Sequence, residues 1–297
     1  MKVNFFLIGP PRCASTSLAK YLSMHPDVCF GNPKEPTYFC TDTPAGYKNE
    51  PKTIEEYHSA YFSHYRPQEH KLVGEATPLY LMSECAVPSI LEYNPEAKFI
   101  ALARNPIDIV TSMHAARVRV GLRHENISDF EEAWNAQEDR KRGDRLPKKV
   151  IRGAVLQYRK LGSLGTQFDR LIKQVPPDNL HVIVYDDLRE DMEKTQKMLL
   201  RFLGLSELAG TSVPHLERNS EWRNEIARRF FEFAKENAHR FPIRPKIGLL
   251  NAIRRFGVKP ANRKEIRPEF RAQLREEFAG EISLLSKLLN RDFSHWQ

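Results

Sequence analysis

What the sequence lacks narrows it first. No stretch approaches the roughly 20 consecutive apolar residues that cross a bilayer, so no membrane-spanning helix is expected. The opening MKVNFFLIGPPR is short and carries no cleavage site, which argues against a secretory leader. Cysteine is scarce. Cys13, Cys29, Cys40 and Cys85 all lie in the first third, none forms a C-x-x-C pair, and no histidine cluster joins them at zinc spacing. A disulfide framework and a zinc site are set aside, and reduced thiols in a cytoplasmic protein are expected. Cys13, within the first loop, is expected to be open to thiol reagents without being a nucleophile. Repeats and low-complexity segments are also missing.

What is present points to a large soluble fold. A chain of 297 residues with 41% hydrophobic composition can bury an ample core. The excess of 46 basic over 38 acidic residues, a net charge of +8, favours anionic partners: nucleotides, phosphates, sulfated glycans, nucleic acid or acidic lipid. Short apolar runs at Val3–Ile8, Lys71–Gly74, Phe99–Ala103 and Leu180–Tyr185 alternate with helical segments. That alternation predicts an α/β fold, a central parallel sheet flanked by helices. Helices are expected over Glu131–Arg142, over Glu193–Leu203 ending at Gly204, and over Glu265–Leu289. A single domain, 1–297, with insertions at Pro33–Pro67 and Val118–Lys149 is expected: a core over 1–205 and a basic helical part over 206–297. Three strand candidates end in polar clusters, Gly9–Ser17, Arg104–Asp108 and Tyr185–Asp187, and ligands of open α/β sheets bind at such strand ends.

The first cluster, GPPRCASTS, resembles a phosphate loop without its lysine. Gly9 and Thr16 fit the G-x-x-x-x-G-K-[ST] template, but Ala14 stands for the second glycine and Ser15 for the lysine. A cation, Arg12, sits three residues early. A glycine turn opening a helix presents N–H groups to an anion. Ser15, Thr16 and Ser17 add hydroxyls, and Arg12 adds a guanidinium fork suited to phosphate or sulfate oxygens. Such a loop suits a monophosphate moiety, needing no metal, better than a magnesium triphosphate. The plainer alternative is a structural turn capped by serine.

The second cluster is ALARNPIDIVTS. Arg104 leaves a strand end, Pro106 can start a helix, and Asp108 falls in its first turn. Ser112 follows Arg104 by eight residues, so an arginine and a hydroxyl can converge on a second phosphate. The alternative is an Arg104–Asp108 pair that merely caps the helix.

Together, GPPRCASTSL and ARNPIDIVTS resemble the paired cofactor signatures of sulfotransferases that use 3′-phosphoadenosine 5′-phosphosulfate, PAPS. The resemblance extends to Pro33–Phe39, similar to the K-E-x-x-[FY]-F segment of the carbohydrate- and heparan-sulfate-directed branch. It continues at Gly74–Tyr80, similar to G-E-K-[ST]-P-x-Y, and through Val184–Leu188 and Phe202–Leu205. It covers about 3–205 and fades afterwards, with Arg218-Asn219-Ser220 a candidate counterpart of a family loop. The resemblance implies that Pro11, Arg12, Cys13, Ala14, Ser15, Thr16 and Ser17 bind the 5′-phosphosulfate. It implies that Arg104 and Ser112 bind the 3′-phosphate, with Tyr185 beside them. PAPS would be the donor, PAP the product, and no metal would be needed. The resemblance places Glu35 as the base, and Arg12 where many members carry a lysine against the leaving group. Arginine keeps the charge there but cannot act as an acid. Ala76 replaces a basic residue of the G-E-K segment, and the late R-K-G-x-x-G-D-W loop of phenol and steroid sulfotransferases is missing.

Glu35 also reads as a surface residue paired with Lys34. His114, two residues after Ser112, is a rival base or simply a polar helix residue; Glu75 is a second carboxylate or orients Arg12. Tyr38, Tyr80, Arg117, Arg119, Arg123, His124, Arg152 and Tyr158 are candidates to line an acceptor cleft. Aromatics with arginine suit a carbohydrate, especially an acidic one, and equally a hydrophobic alcohol with a polar head. The stretch Asn237–Lys264 holds eight arginines and lysines and no acid. It reads as a solvated basic face, or as an anion-binding or membrane-surface patch. The expected activity is sulfuryl transfer to a carbohydrate hydroxyl or amine. The rivals are a small-molecule kinase and a non-catalytic protein that binds anions or nucleic acid.

Overall fold

The computed structural model describes residues 1–42, 50–121, 124–148, 153–208, 220–222, 258–260 and 266–297. The chain divides into two compact units, Met1–Pro214 with Ile266–Gln297, and His215–Glu265. In the second, strands Ser220–Trp222 and Val258–Pro260 pair antiparallel. The remainder of the basic stretch Asn237–Lys264, with Arg123, Arg152, Arg218 and Asn219, lies outside the described residues.

The first unit is built on five parallel strands: β1 (Phe5–Ile8), β2 (Val28–Phe30), β3 (Leu72–Ala76), β4 (Lys98–Ala103) and β5 (Leu180–Val184). Their order is β2-β3-β1-β4-β5, and all four pairings are parallel. The α/β parallel-sheet expectation is met. Phe5, Phe6, Leu7 and Ile8 are all fully buried, as a strand covered on both faces requires. The chain leaves β1 toward one edge and returns to place β4 on its other side. The strand order therefore reverses between β1 and β4, where open α/β sheets hold ligands.

The helices are α1 (Ser15–Ser23), α2 (Ile54–Phe62), α3 (Ala86–Tyr93), α4 (Pro106–Val120), α5 (Phe130–Asn135), α6 (Gln137–Lys141), α7 (Tyr158–Gly162), α8 (Leu164–Gln174), α9 (Tyr185–Glu190), α10 (Met192–Leu203) and α11 (Pro268–Leu289). Asp191 caps α10 by accepting from the Lys194 N–H, and left-handed Gly204 (φ 71°) ends it as expected. In α11, Phe270, Leu274, Phe278, Ile282 and Leu285 form one buried stripe that packs on α8 and α4.

Two expectations need correction. The helix expected over Glu131–Arg142 is two short helices hinged at Ala136 (φ −77°, ψ −1°). The buried Gln137 amide donates to the Trp134 carbonyl at 2.7 Å and competes with the helical ladder there. Strand β2 was not expected. Its three residues, flanked by His25-Pro26-Asp27 and Gly31-Asn32-Pro33, are too few to show a period.

Candidate functional site

The site gathers at the carboxyl ends of the strands. Gly9 leaves β1 at φ 141°, a conformation for glycine, and an added Cβ would stand 2.7 Å from the Leu102 Cβ of β4. The loop Gly9–Ala14 therefore lies directly against the neighbouring strand. Arg12 (φ 73°) and Ala14 (φ 66°) are left-handed, interleaved with Cys13. Alternation of this kind turns successive N–H groups into an anion-binding concavity. No side chain caps the start of α1, and no acid lies in its first turn. Ser15 and Ser17 are buried at that start, while Thr16 is exposed. Of six non-glycine residues with positive φ among the described ones, Arg12, Ala14, Glu35 and Thr37 fall in two facing loops. Backbone strain of this kind concentrates at functional sites.

The β4 end closes on the same loop. The Arg12 Nε donates to the Ser112 Oγ at 3.2 Å, across a hundred residues of sequence. Arg104 donates to the Arg12 carbonyl at 2.7 Å and to Asp108 at 3.2 Å. Its guanidinium lies over the Tyr185 ring, 4.2 Å from the centroid. The Arg104 Nε is buried without a hydrogen-bond partner. Asn105 caps α4 by accepting from the Ile107 N–H, and Pro106 opens it. Thus Arg12, Ser112, Arg104 and Tyr185, from three strand ends, come together. The Arg104–Asp108 pair of the plainer reading is there as well.

The β2 end supplies what the loop lacks. The Lys34 Nζ donates to the Ser15 Oγ at 3.3 Å and to the Glu35 Oε1 at 2.8 Å. A lysine ammonium thus stands at the start of α1, contributed by another strand end. Sequence reasoning gave Lys34 only as a partner for Glu35; the K-E dipeptide was the available signal. Glu35 is held in a left-handed conformation (φ 68°), its N–H donating to the Ala76 carbonyl at 3.1 Å. Buried Ala76, in the place of the basic residue of the G-E-K segment, thus offers its backbone rather than a charge.

Glu75 does not meet Arg12. It points into the core, where Tyr57 donates to its Oε2 at 2.7 Å and its Oε1 has no hydrogen-bond partner. Burial pushes its carboxyl up to about 7, against the Tyr57, Tyr80 and Thr77 hydroxyls, which favour the anion. Cys13 is buried, and burial pushes its thiol up to about 12, so it offers no thiolate to reagents. That corrects the expectation of an accessible loop thiol.

His114 is not gathered into this site. Two residues on from Ser112, it faces the other side of α4. Its ring packs against Phe130 and Tyr158, and its Nε2 donates to the Ile127 carbonyl at 2.9 Å. It adjoins a buried structural network in which Arg140 clasps Glu125 (3.0 and 2.5 Å) and Tyr158 donates to the same carboxylate. Tyr80 and Tyr158 are fully buried, and Arg117 is buried with its Nε donating to the His124 carbonyl. None of these three lines an open cleft. Tyr38 and Arg119 are half-buried.

A groove of about 650 Å³ opens beside Lys34 and runs along α1. Thr16, Lys20, Lys34, His25, His64 and His70 are among its lining residues, and no carboxylate is. His25 is committed to backbone: its Nδ1 accepts from Asp27 N–H at 3.1 Å, and its Nε2 lies 3.1 Å from the Ser206 carbonyl.

Comparison with known proteins follows this geometry. The family model described as Sulfotransferase domain matches residues 2–283. The membrane-associated sulfotransferase kil1 of Dictyostelium discoideum is 32% identical over 105 residues, which is 35% of this chain and 21% of that protein. The chain thus matches about a fifth of that relative's length. The crystal structure of a sulfotransferase from Alicyclobacillus acidocaldarius superposes with a TM-score of 0.70 at 22% identity, covering 100% of this chain and 99% of that one. That likeness carries the fold. With the family model spanning nearly the whole sequence, the chain belongs to the sulfotransferase domain family.

Proposed function

We propose that the chain transfers a sulfuryl group from PAPS to a hydroxyl or amine of a carbohydrate acceptor, without a metal. The observation that carries the donor assignment is the convergence of Arg12, Ser112 and Arg104, with a buried Arg104 Nε that has no hydrogen-bond partner among the described residues. A buried guanidinium N–H without an acceptor is costly, and a phosphate oxygen is the acceptor it suits. In this reading Arg104 and Ser112 hold the 3′-phosphate, with Tyr185 supporting Arg104. The amides and hydroxyls of 13–17, with Pro11 shaping the turn, hold the 5′ end. When bound, the donor supplies an activated sulfuryl group on a phosphate leaving group.

The protein's own groups do the rest. Arg12 and Lys34 place positive charge where negative charge accumulates on the leaving phosphate. Glu35 accepts the acceptor's proton at its carboxylate. Lys34 joins the two tasks, since one ammonium touches both the Glu35 carboxylate and the α1 start. An anion near Ser15 competes with Glu35 for that ammonium. The acid-free groove beside Lys34 supports an acidic acceptor, a glycan bearing carboxylate or sulfate. A lipid alcohol is the second reading for the acceptor. A cytoplasmic location is part of the proposal; no helix among the described residues is long and apolar enough to cross a membrane.

Lys34 beside Ser15 also meets one requirement of a kinase, so the test includes it. Thermal stability is measured in EDTA with PAP or AMP, and separately with magnesium-ATP. PAP is expected to raise the Tm most, because it binds only the folded protein, and Arg104→Ala is expected to abolish the rise. A larger rise with magnesium-ATP would overturn the donor assignment.

A further inference from the structure

Residues 291–296, far in sequence from every motif of the site, fasten two of its strand ends together. The Asn105 amide donates to the Trp296 carbonyl at 3.0 Å, from the turn between β4 and α4. The Trp296 indole donates to Asp186 Oδ2 at 2.7 Å, in the first turn of α9 after β5. His295 Nε2 lies 3.1 Å from the same oxygen. Arg291 grips the neighbouring Asp187 with both terminal nitrogens, each at 2.5 Å. Trp296 is buried and stacks on fully buried Phe293, centroids 4.2 Å apart.

The residues gripped are the immediate neighbours of the ones that make the donor site. Asn105 follows Arg104, and Asp186 follows Tyr185, over whose ring Arg104 lies. Asn105 has two ends in use. Its Oδ1 caps α4, the helix that carries Ser112, while its Nδ2 holds Trp296. Moving the Trp296 segment therefore moves the helix start, the Arg104 backbone and the Tyr185 platform together.

We propose that Trp296 is a positioning residue for the 3′-phosphate half of the donor site. It acts through Asn105 and Asp186, and touches no substrate. The proposal rests on the donor assignment above. It predicts a specific kind of loss. Ligands with a 3′-phosphate need Arg104 and Ser112 in register, whereas AMP does not reach them. Loosening the segment should therefore reduce the preference for PAP over AMP, with a raised KM for PAPS and little change in kcat.

The test compares PAP and AMP affinities by calorimetry for the full chain and three variants. Trp296→Phe keeps an aromatic on Phe293 but removes the indole donor. Asn105→Ser keeps a good helix cap but removes the donor to the Trp296 carbonyl. Phe278→Leu, in the α11 stripe, is the stability control. The first two variants should each lose roughly three- to tenfold in PAP-over-AMP preference, the size of one hydrogen bond. The control should lower Tm and leave that preference unchanged. Equal weakening of PAP and AMP, no weakening, or the same loss in Phe278→Leu would overturn the positioning role and leave the donor assignment standing. A wild-type protein that does not prefer PAP to AMP would overturn both.

Discussion

Glu75 shows how much a single position's surroundings decide. A carboxyl ordinarily titrating near 4.5 is held up to about 7 by burial. Raised carboxyls cost stability in a definite direction. Between 4.5 and about 7 the folded protein keeps a proton that the unfolded chain has released, so stability falls as pH rises through that window and is level above it. Glutamine should fit: its carbonyl can accept from Tyr57, and its amide occupies the place of the unpartnered Oε1. Relative to wild type, Glu75→Gln should gain about 1.4 kcal/mol per pH unit across that window. Parallel melting curves for the two proteins over the same pH range would refute the assignment. The identity of Glu75 was visible in the sequence, but its environment was not, because Tyr57 and Tyr80 approach it from other elements. Lys34 is a similar case. The sequence displayed a lysine next to a glutamate, and only the β2–β3 pairing brings it to Ser15.

Among elements, the first loop is the least tolerant of change. Its turn depends on Gly9, pressed against Leu102 in a left-handed conformation. Gly9→Ala should destabilise the fold by roughly 2–4 kcal/mol, from strain at positive φ plus the overlap with β4. It should weaken PAP binding too, because the loop shifts from Arg104. Chemical denaturation with and without PAP separates the two effects, and unchanged stability would show that β4 yields easily. Four of the five strands could be placed from apolar runs, and α10 and α11 from periodicity with a terminator or stripe. The short strand β2 and the hinge at Ala136 could not. A three-residue strand leaves no pattern, and a side-chain amide that turns back to the carbonyl three residues before it leaves the apolar period unchanged.

At the scale of the whole molecule, charge and topology cooperate. The chain carries +8, and the groove beside Lys34 has no carboxylate among its lining residues. An acidic oligosaccharide acceptor should therefore show a KM that rises with ionic strength, while a neutral analogue should show little dependence, in steady-state assays at saturating donor. A KM indifferent to salt would count against the groove as the acceptor's path. The parallel sheet was legible from the alternation of elements. The order β2-β3-β1-β4-β5 was not, and it is that order that brings three strand ends around one loop. In the proposed donor site a second cation, Lys34, lies 19 positions beyond Ser15 in sequence and meets it only after folding. Two substitutions that restored the usual wording, Ser15→Lys with Lys34→Ser, would move the charge without changing its sum. The site thus draws on two separate stretches of the chain, and the Lys34–Ser15 contact exists only where both have folded.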